Sequence, residues 1–283
     1  MNTTISNKIL TASIKHAGAE LFSLIDNQTK EYMWNGNPDF WPKHSPILFP
    51  IVGSLKNDTY KFGEKEYQLS RHGFARDKEF ELIEKTESSA TFSLSYNEET
   101  LQKYPFKFEL QIIYNLEENK LNIGYKVINK GETQLPFSIG AHPAFSLPEK
   151  FSNYNIQFEK EEQLEYSLLE DGLISNTTAT LKTSNTTVSL NYKLFENDAL
   201  VFRTLESNSL TILENSKPYL KVNFEDFPSL GIWTKENAPF ICIEPWFGYS
   251  DTLEKSGDIL KKEGIQLLEA NQIFNTEFSI QVF

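Results

Sequence analysis

Cysteine is all but missing from this chain. Cys242 is the one cysteine in 283 residues, which excludes an internal disulfide and any zinc site built from several cysteines. It stands in the apolar run Phe240-Ile241-Cys242-Ile243, where burial suppresses the thiolate, so it reads as core filler rather than as a nucleophile. Positive charge is also short. The 27 basic residues face 39 acidic ones, a formal net charge of -12, and such a surface repels nucleic-acid backbones and anionic membranes at long range. No apolar run approaches the roughly 20 residues needed to cross a bilayer. The start, Met1-Asn2-Thr3-Thr4-Ile5-Ser6, lacks the basic-then-apolar pattern of a secretion signal. The expectation is a cytoplasmic protein with neither a nucleic acid nor a membrane as partner. Repeats, heptads and low-complexity segments do not occur, and no linker interrupts the pattern, so residues 1–283 read as a single domain.

What is present is period-two alternation. Phe106, Phe108, Leu110, Ile112, Tyr114 and Leu116 share one face while Lys107, Glu109 and Gln111 share the other, the pattern of a long half-buried strand. After the polar turn Glu117-Glu118-Asn119-Lys120 the alternation resumes through Leu121, Ile123, Tyr125 and Val127, which predicts a hairpin. Ala90, Phe92, Leu94 and Tyr96 predict a preceding strand. Leu220-Val222-Phe224 and the terminal series Phe274, Thr276, Phe278, Ile280, Val282 predict two more. Helical signals are confined to short pieces, Glu98 to Lys103 and the segment around Pro38 to Trp41. The stretch Ser175 to Thr187 reads as a solvated loop or a pair of edge strands without function. No strand–helix–strand rhythm appears, so the fold class is all-β and antiparallel rather than doubly wound.

Three separated motifs carry proton-handling groups: Arg71-His72-Gly73-Phe74-Ala75-Arg76, Gly140-Ala141-His142-Pro143, and Ile241-Cys242-Ile243-Glu244-Pro245-Trp246. Two histidines and a carboxylate are what acid–base chemistry on a neutral polar substrate requires. Glu244 closes a run that reads as a central strand, where a carboxylate costs several kcal/mol unless it is paired, hydrogen-bonded or open to a polar cavity. A surface strand end is the plain alternative. Pro245 and Trp246 favour a site, the first fixing the exit and the second offering an aromatic wall. Small residues before His142 let a ligand approach, while Pro143 pushes it toward an extended conformation; a core histidine bonded to a carbonyl is the alternative. For His72 the alternative is a loop histidine packed for shape. His16 and His44 read as structural. The histidines are too widely separated to give a ligand spacing, so no metal site is expected.

Together with Ser45-Pro46-Ile47-Leu48-Phe49-Pro50-Ile51-Val52-Gly53 and Asn197-Asp198-Ala199-Leu200-Val201-Phe202, these motifs come in an order that resembles the aldose 1-epimerases, in particular their LacX-like branch. The resemblance runs from Gly18-Ala19-Glu20-Leu21 to the last strand. It implies an antiparallel supersandwich of the galactose mutarotase-like type, with a sugar site on the concave sheet face. By position it implies Glu244 as catalytic base, His142 as acid, His72 as a sugar contact that supports the charge change, and Arg71 and Asp198 as partners of sugar hydroxyls. Trp246 would be the aromatic wall. No cofactor is implied, the partner is a small-molecule sugar, and the assembly is a monomer or homodimer. Many members carry an arginine directly after the Phe-Pro-x-x-Gly segment, where this chain has Ser54, and that departure leaves the sugar open.

The chemistry so implied is anomer interconversion. A base takes the proton of the anomeric hydroxyl, an acid protonates the ring oxygen, and the aldehyde rotates before the ring recloses. At unperturbed pKa values of about 4.3 and about 6.5, Glu244 begins as carboxylate and His142 is kept protonated by acids such as Asp198. Rival readings are a hexose-6-phosphate 1-epimerase, its phosphate held by Arg71, Arg76 and Lys43, and a non-catalytic carbohydrate-binding or sensing protein on the same fold. A glycosidase would need Glu244 and Asp198 as paired carboxylates.

Overall fold

The computed structural model describes residues 1–254 and 257–283. Its strands form a nine-stranded and an eight-stranded sheet, accompanied by smaller sheets of two or three strands, and all pairings between named strands are antiparallel. Alternation dictates this. Phe108–Glu117 pairs with Lys120–Asn129 in a hairpin, and Phe108, Leu110, Ile112, Tyr114, Leu121, Ile123, Tyr125 and Val127 are all buried. Each such side chain contributes about 1.5–3 kcal/mol on leaving water. The terminal strand Ile273–Val282 completes the nine-stranded sheet between Lys120–Asn129 and Lys217–Asn223. One apolar cluster reaches from Ile5 to Val282 and draws on both large sheets. Across it Phe247 meets Phe274 at 5.0 Å and Phe202 meets Phe158 at 6.1 Å between ring centroids.

Three boundaries differ from expectation, one of them at Phe224, which lies just outside the strand Lys217–Asn223. The long strand starts at Phe108 rather than Phe106, because Pro105 precedes it; Phe106 is still buried. The preceding strand is Ser89–Ser95 and leaves Tyr96 outside. The helix Glu98–Lys103 forms, with Asn97 and Thr100 closing a reciprocal cap at its N-terminus. The segment around Pro38 to Trp41 is not a helix. The Phe40 and Trp41 amides both bond to the Asn37 carbonyl, a single turn that is not continued. The Asn/Thr/Ser-rich stretch supplies edges: Leu173–Thr180 lies at one edge of the eight-stranded sheet and Thr187–Ser189 at one edge of the nine-stranded sheet. Among the described residues no helix is long and apolar enough to cross a membrane.

The strand that positions the site is Phe240–Phe247, near the middle of the eight-stranded sheet. On one side it pairs with Ser229–Trp233, and on the other with Ile139–Ala141 and Ala144–Ser146. Ile139–Ala141 and Ala144–Ser146 hold the same register, so the break between them puts His142 opposite Glu244. The break has a covalent reason. Pro143 and Pro245 lack an N–H to donate, and the ladder parts at that point.

Candidate active site

Residues of this sheet line a cavity of about 430 Å³. His142, Glu244, His72, Arg71, Asp198 and Trp246, the six residues singled out in the sequence, all line it. At its heart His142 Nε2 lies 3.2 Å from Glu244 Oε2. The distance is in reach of proton transfer, although the alignment falls short of a hydrogen bond, and no other described group bonds to Oε2. His142 Nδ1 is likewise buried without a partner.

Burial governs the charge of this pair. Removal from water pushes the Glu244 carboxyl well above its ordinary range, and the Asp198 carboxylate adds to the rise while the Arg71 cation opposes it. Burial lowers His142 to about 3, and the charges of Arg71 and Arg76 push the same way. Burial therefore disfavours the separate carboxylate and imidazolium expected from ordinary pKa values, raising Glu244 and lowering His142. Asp198 acts on Glu244 rather than keeping His142 charged.

His72 is held in the left-handed region at φ +68°, followed by Gly73 at φ +70°. A Cβ on Gly73 would collide with the Phe49 carbonyl, so the glycine is needed for this turn to close against the Phe49-Pro50 segment. The His72 amide bonds to the Gly53 carbonyl at 2.8 Å, and the Gly53 amide donates to His72 Nδ1 at 3.1 Å. Arg71 Nε donates to His72 Nε2 at 3.2 Å. A neutral imidazole accepts only one hydrogen bond, so the two donors compete, and neither tolerates an imidazolium. Burial, then His142, Arg71 and Arg76, holds the His72 pKa well below the histidine range. Arg71 Nη1 reaches Asp198 Oδ2 at 3.9 Å, which joins a donor and an acceptor in the lining of the cavity.

Trp246 is a floor rather than a standing wall. Its indole lies across Gly140 and Gly231, where an added Cβ would strike the ring, and its Nε1 donates to the Ala141 carbonyl at 3.2 Å. The walls come from residues that sequence reasoning did not assign to the site. Trp41 stacks on His142 at 4.8 Å and Trp233 meets the same imidazole edge-on at 5.9 Å. Leu169, Ile174, Ala199 and Val201 add apolar lining. The turn read as helical is what delivers Trp41.

The remaining candidates sort cleanly. Arg76 lines the cavity, but Lys43 does not and pairs with Asp77 at 3.5 Å. Ser54 is not among the lining residues. His16 bonds Thr3 Oγ1 at 2.9 Å, and His44 sits against Lys15 and Glu20. Cys242 is fully buried, and burial followed by the Glu244 charge raises its thiol well above the ordinary value.

Comparison with known proteins identifies the family and the fold type. The family model described as "Aldose 1-epimerase" matches residues 1–265. Protein LacX of Lactococcus lactis subsp. lactis is 38% identical over 276 residues, which cover 92% of each chain. The X-ray structure of a galactose mutarotase related enzyme from Lactobacillus acidophilus superposes with a TM-score of 0.96 at 34% identity, covering 100% of this chain and 97% of that one. A galactose mutarotase-like protein from Lactobacillus casei gives 0.94 at 31% identity, with 100% of both chains covered. The antiparallel sandwich is thus of the galactose mutarotase-like type.

Proposed function

Because this chain belongs to the aldose 1-epimerase family, we propose that it interconverts the α and β anomers of a hexose or related aldose. Glu244 is the base at the anomeric hydroxyl and His142 the acid at the ring oxygen. The observation that carries this reading is the 3.2 Å approach of His142 Nε2 to Glu244 Oε2 inside a cavity lined by tryptophans and charged side chains. A pair that close works with a single shared proton. Sugar hydroxyls donating to Glu244 supply the hydrogen bonds that its Oε2 lacks, which favours the carboxylate and sends the proton to His142. The carboxylate then removes the anomeric proton while His142 protonates the ring oxygen, and reclosure runs the same transfers backwards. Net proton uptake is zero. Trp246 and Trp41 offer faces for the C–H surfaces of the ring, and Arg71 and Asp198 bind hydroxyls.

Arg71 and Arg76, both lining the cavity, support a second reading in which the hexose carries a 6-phosphate bound by the two guanidinium groups. Polarimetry on freshly dissolved α-glucose and α-galactose, beside a coupled assay on their 6-phosphates, separates the two. The expected result is equilibration of the free sugar well above the spontaneous rate. Acceleration confined to the phosphorylated sugars selects the second reading. Saturable binding without acceleration of any sugar overturns both in favour of a carbohydrate-binding protein.

A further inference from the structure

Cys242 and Glu244 are alternate residues of the strand Phe240–Phe247, so their side chains leave the same face of the sheet. His142 meets them from the neighbouring segment. One imidazole nitrogen, the thiol sulfur and one carboxylate oxygen all lie within 4.8 Å of one another. The three residues are buried, and both Glu244 Oε2 and His142 Nδ1 lack a hydrogen-bond partner among the described residues. No sequence spacing announces such a set, because strand register rather than a local motif assembles it.

We infer that the bottom of the pocket is an inhibitory site for a thiophilic divalent metal ion, Zn²⁺ foremost, held by Cys242 Sγ, His142 and Glu244. Thiolate, imidazole and carboxylate are the donors zinc takes, at about 2.0–2.3 Å, and the small span of the set lets one ion reach all three after modest side-chain adjustment. A fourth position is left toward the cavity for water. Mg²⁺ and Ca²⁺ prefer several oxygen ligands and find one carboxylate here. His142 and Glu244 line the cavity, so an ion arriving by the sugar's route meets them first and Cys242 behind them.

Binding follows a definite balance. The ion displaces the thiol proton of Cys242 and the proton shared by Glu244 and His142, so roughly two protons pass to solvent and the charges of thiolate and carboxylate offset those of the ion. Proton release on binding makes the affinity rise with pH. Inhibition by the ion rests on the function proposed above, since the metal takes both members of the acid–base pair. Binding of the ion itself does not.

The test uses Co²⁺ and Zn²⁺ on the full chain. Co²⁺ should add a thiolate charge-transfer absorption in the near ultraviolet, and calorimetry in buffers of different ionisation enthalpy should report the proton release. Zn²⁺ should inhibit turnover competitively with the sugar, and a chelator should restore it. Cys242→Ser and Cys242→Ala, each checked by thermal melting, should keep basal turnover, lose the charge-transfer band and weaken metal binding by roughly tenfold or more. Absence of the band in the unmodified chain, or metal affinity unchanged in both folded variants, overturns the proposal. A band without any turnover leaves the metal site standing and overturns the epimerase reading instead.

Discussion

The two faces of the strand Phe240–Phe247 are equally dry and chemically opposite. Ile241 and Ile243 point into the apolar cluster shared by the large sheets, while Cys242, Glu244 and Trp246 point to the pocket side. Every residue from Phe240 to Trp246 is buried. Depth alone therefore does not distinguish a site from a core. The difference lies in polar satisfaction: on one face no side chain asks for a hydrogen bond, and on the other a carboxyl oxygen and an imidazole nitrogen go without one. Such groups are costly in a low-dielectric interior, and the hydroxyls of the proposed sugar substrate would relieve that cost.

The largest test of this contrast is Glu244→Gln, which keeps the shape of the pocket face and removes its proposed base. Turnover measured by polarimetry should fall by about 10²–10⁴-fold, with the melting temperature maintained or raised and sugar affinity by calorimetry changed only a few-fold. Activity surviving at near the original level would show that another group is the base. Ile243→Ala, one residue away on the other face, should do the converse. Loss of a buried isoleucine costs about 2–5 kcal/mol in urea unfolding, while turnover per folded molecule should be nearly unchanged; a matching loss of turnover would mean that the two faces are not separable.

A smaller effect sharpens the electrical side of the comparison. The unfolded chain protonates His142 near pH 6.5, whereas the folded chain withholds that proton until about pH 3. The unfolded state binds more protons within that window, so stability falls as pH drops through it, with a slope from this one group of up to about 1.4 kcal/mol per pH unit. His142→Gln should flatten the slope measured from urea midpoints between pH 7 and pH 4.5. An identical slope in the variant would place the loss of stability elsewhere, with His72 the next group to examine, since its pKa is depressed by burial as well.

Much of this site was legible in the residues. Glycine and proline framed His72 and His142, and an apolar run ended on Glu244; chain-local constraints of that kind survive without any coordinates. The alternation that built the two large sheets was equally local. Trp41 and Trp233 were not legible, because their claim on the pocket comes from contacts with His142 some hundred residues distant in the chain. Trp41 was further obscured by a single turn that resembles the start of a helix. The charge of the pair was illegible for a deeper reason. Ordinary pKa values describe groups in water, and only the assembled sheet and its aromatic cover take that water away. Lys43 shows the reverse error, a cation near the motifs in sequence that the fold turns toward Asp77.

The parting of the ladder between Ile139–Ala141 and Ala144–Ser146 reaches beyond geometry. Imino acids at 143 and 245 keep the host cleft from zipping shut before any guest arrives. The disorder lost in shaping it was surrendered during folding, so the sugar proposed as its substrate would have little left to organise, and its contacts would go toward residence and reaction.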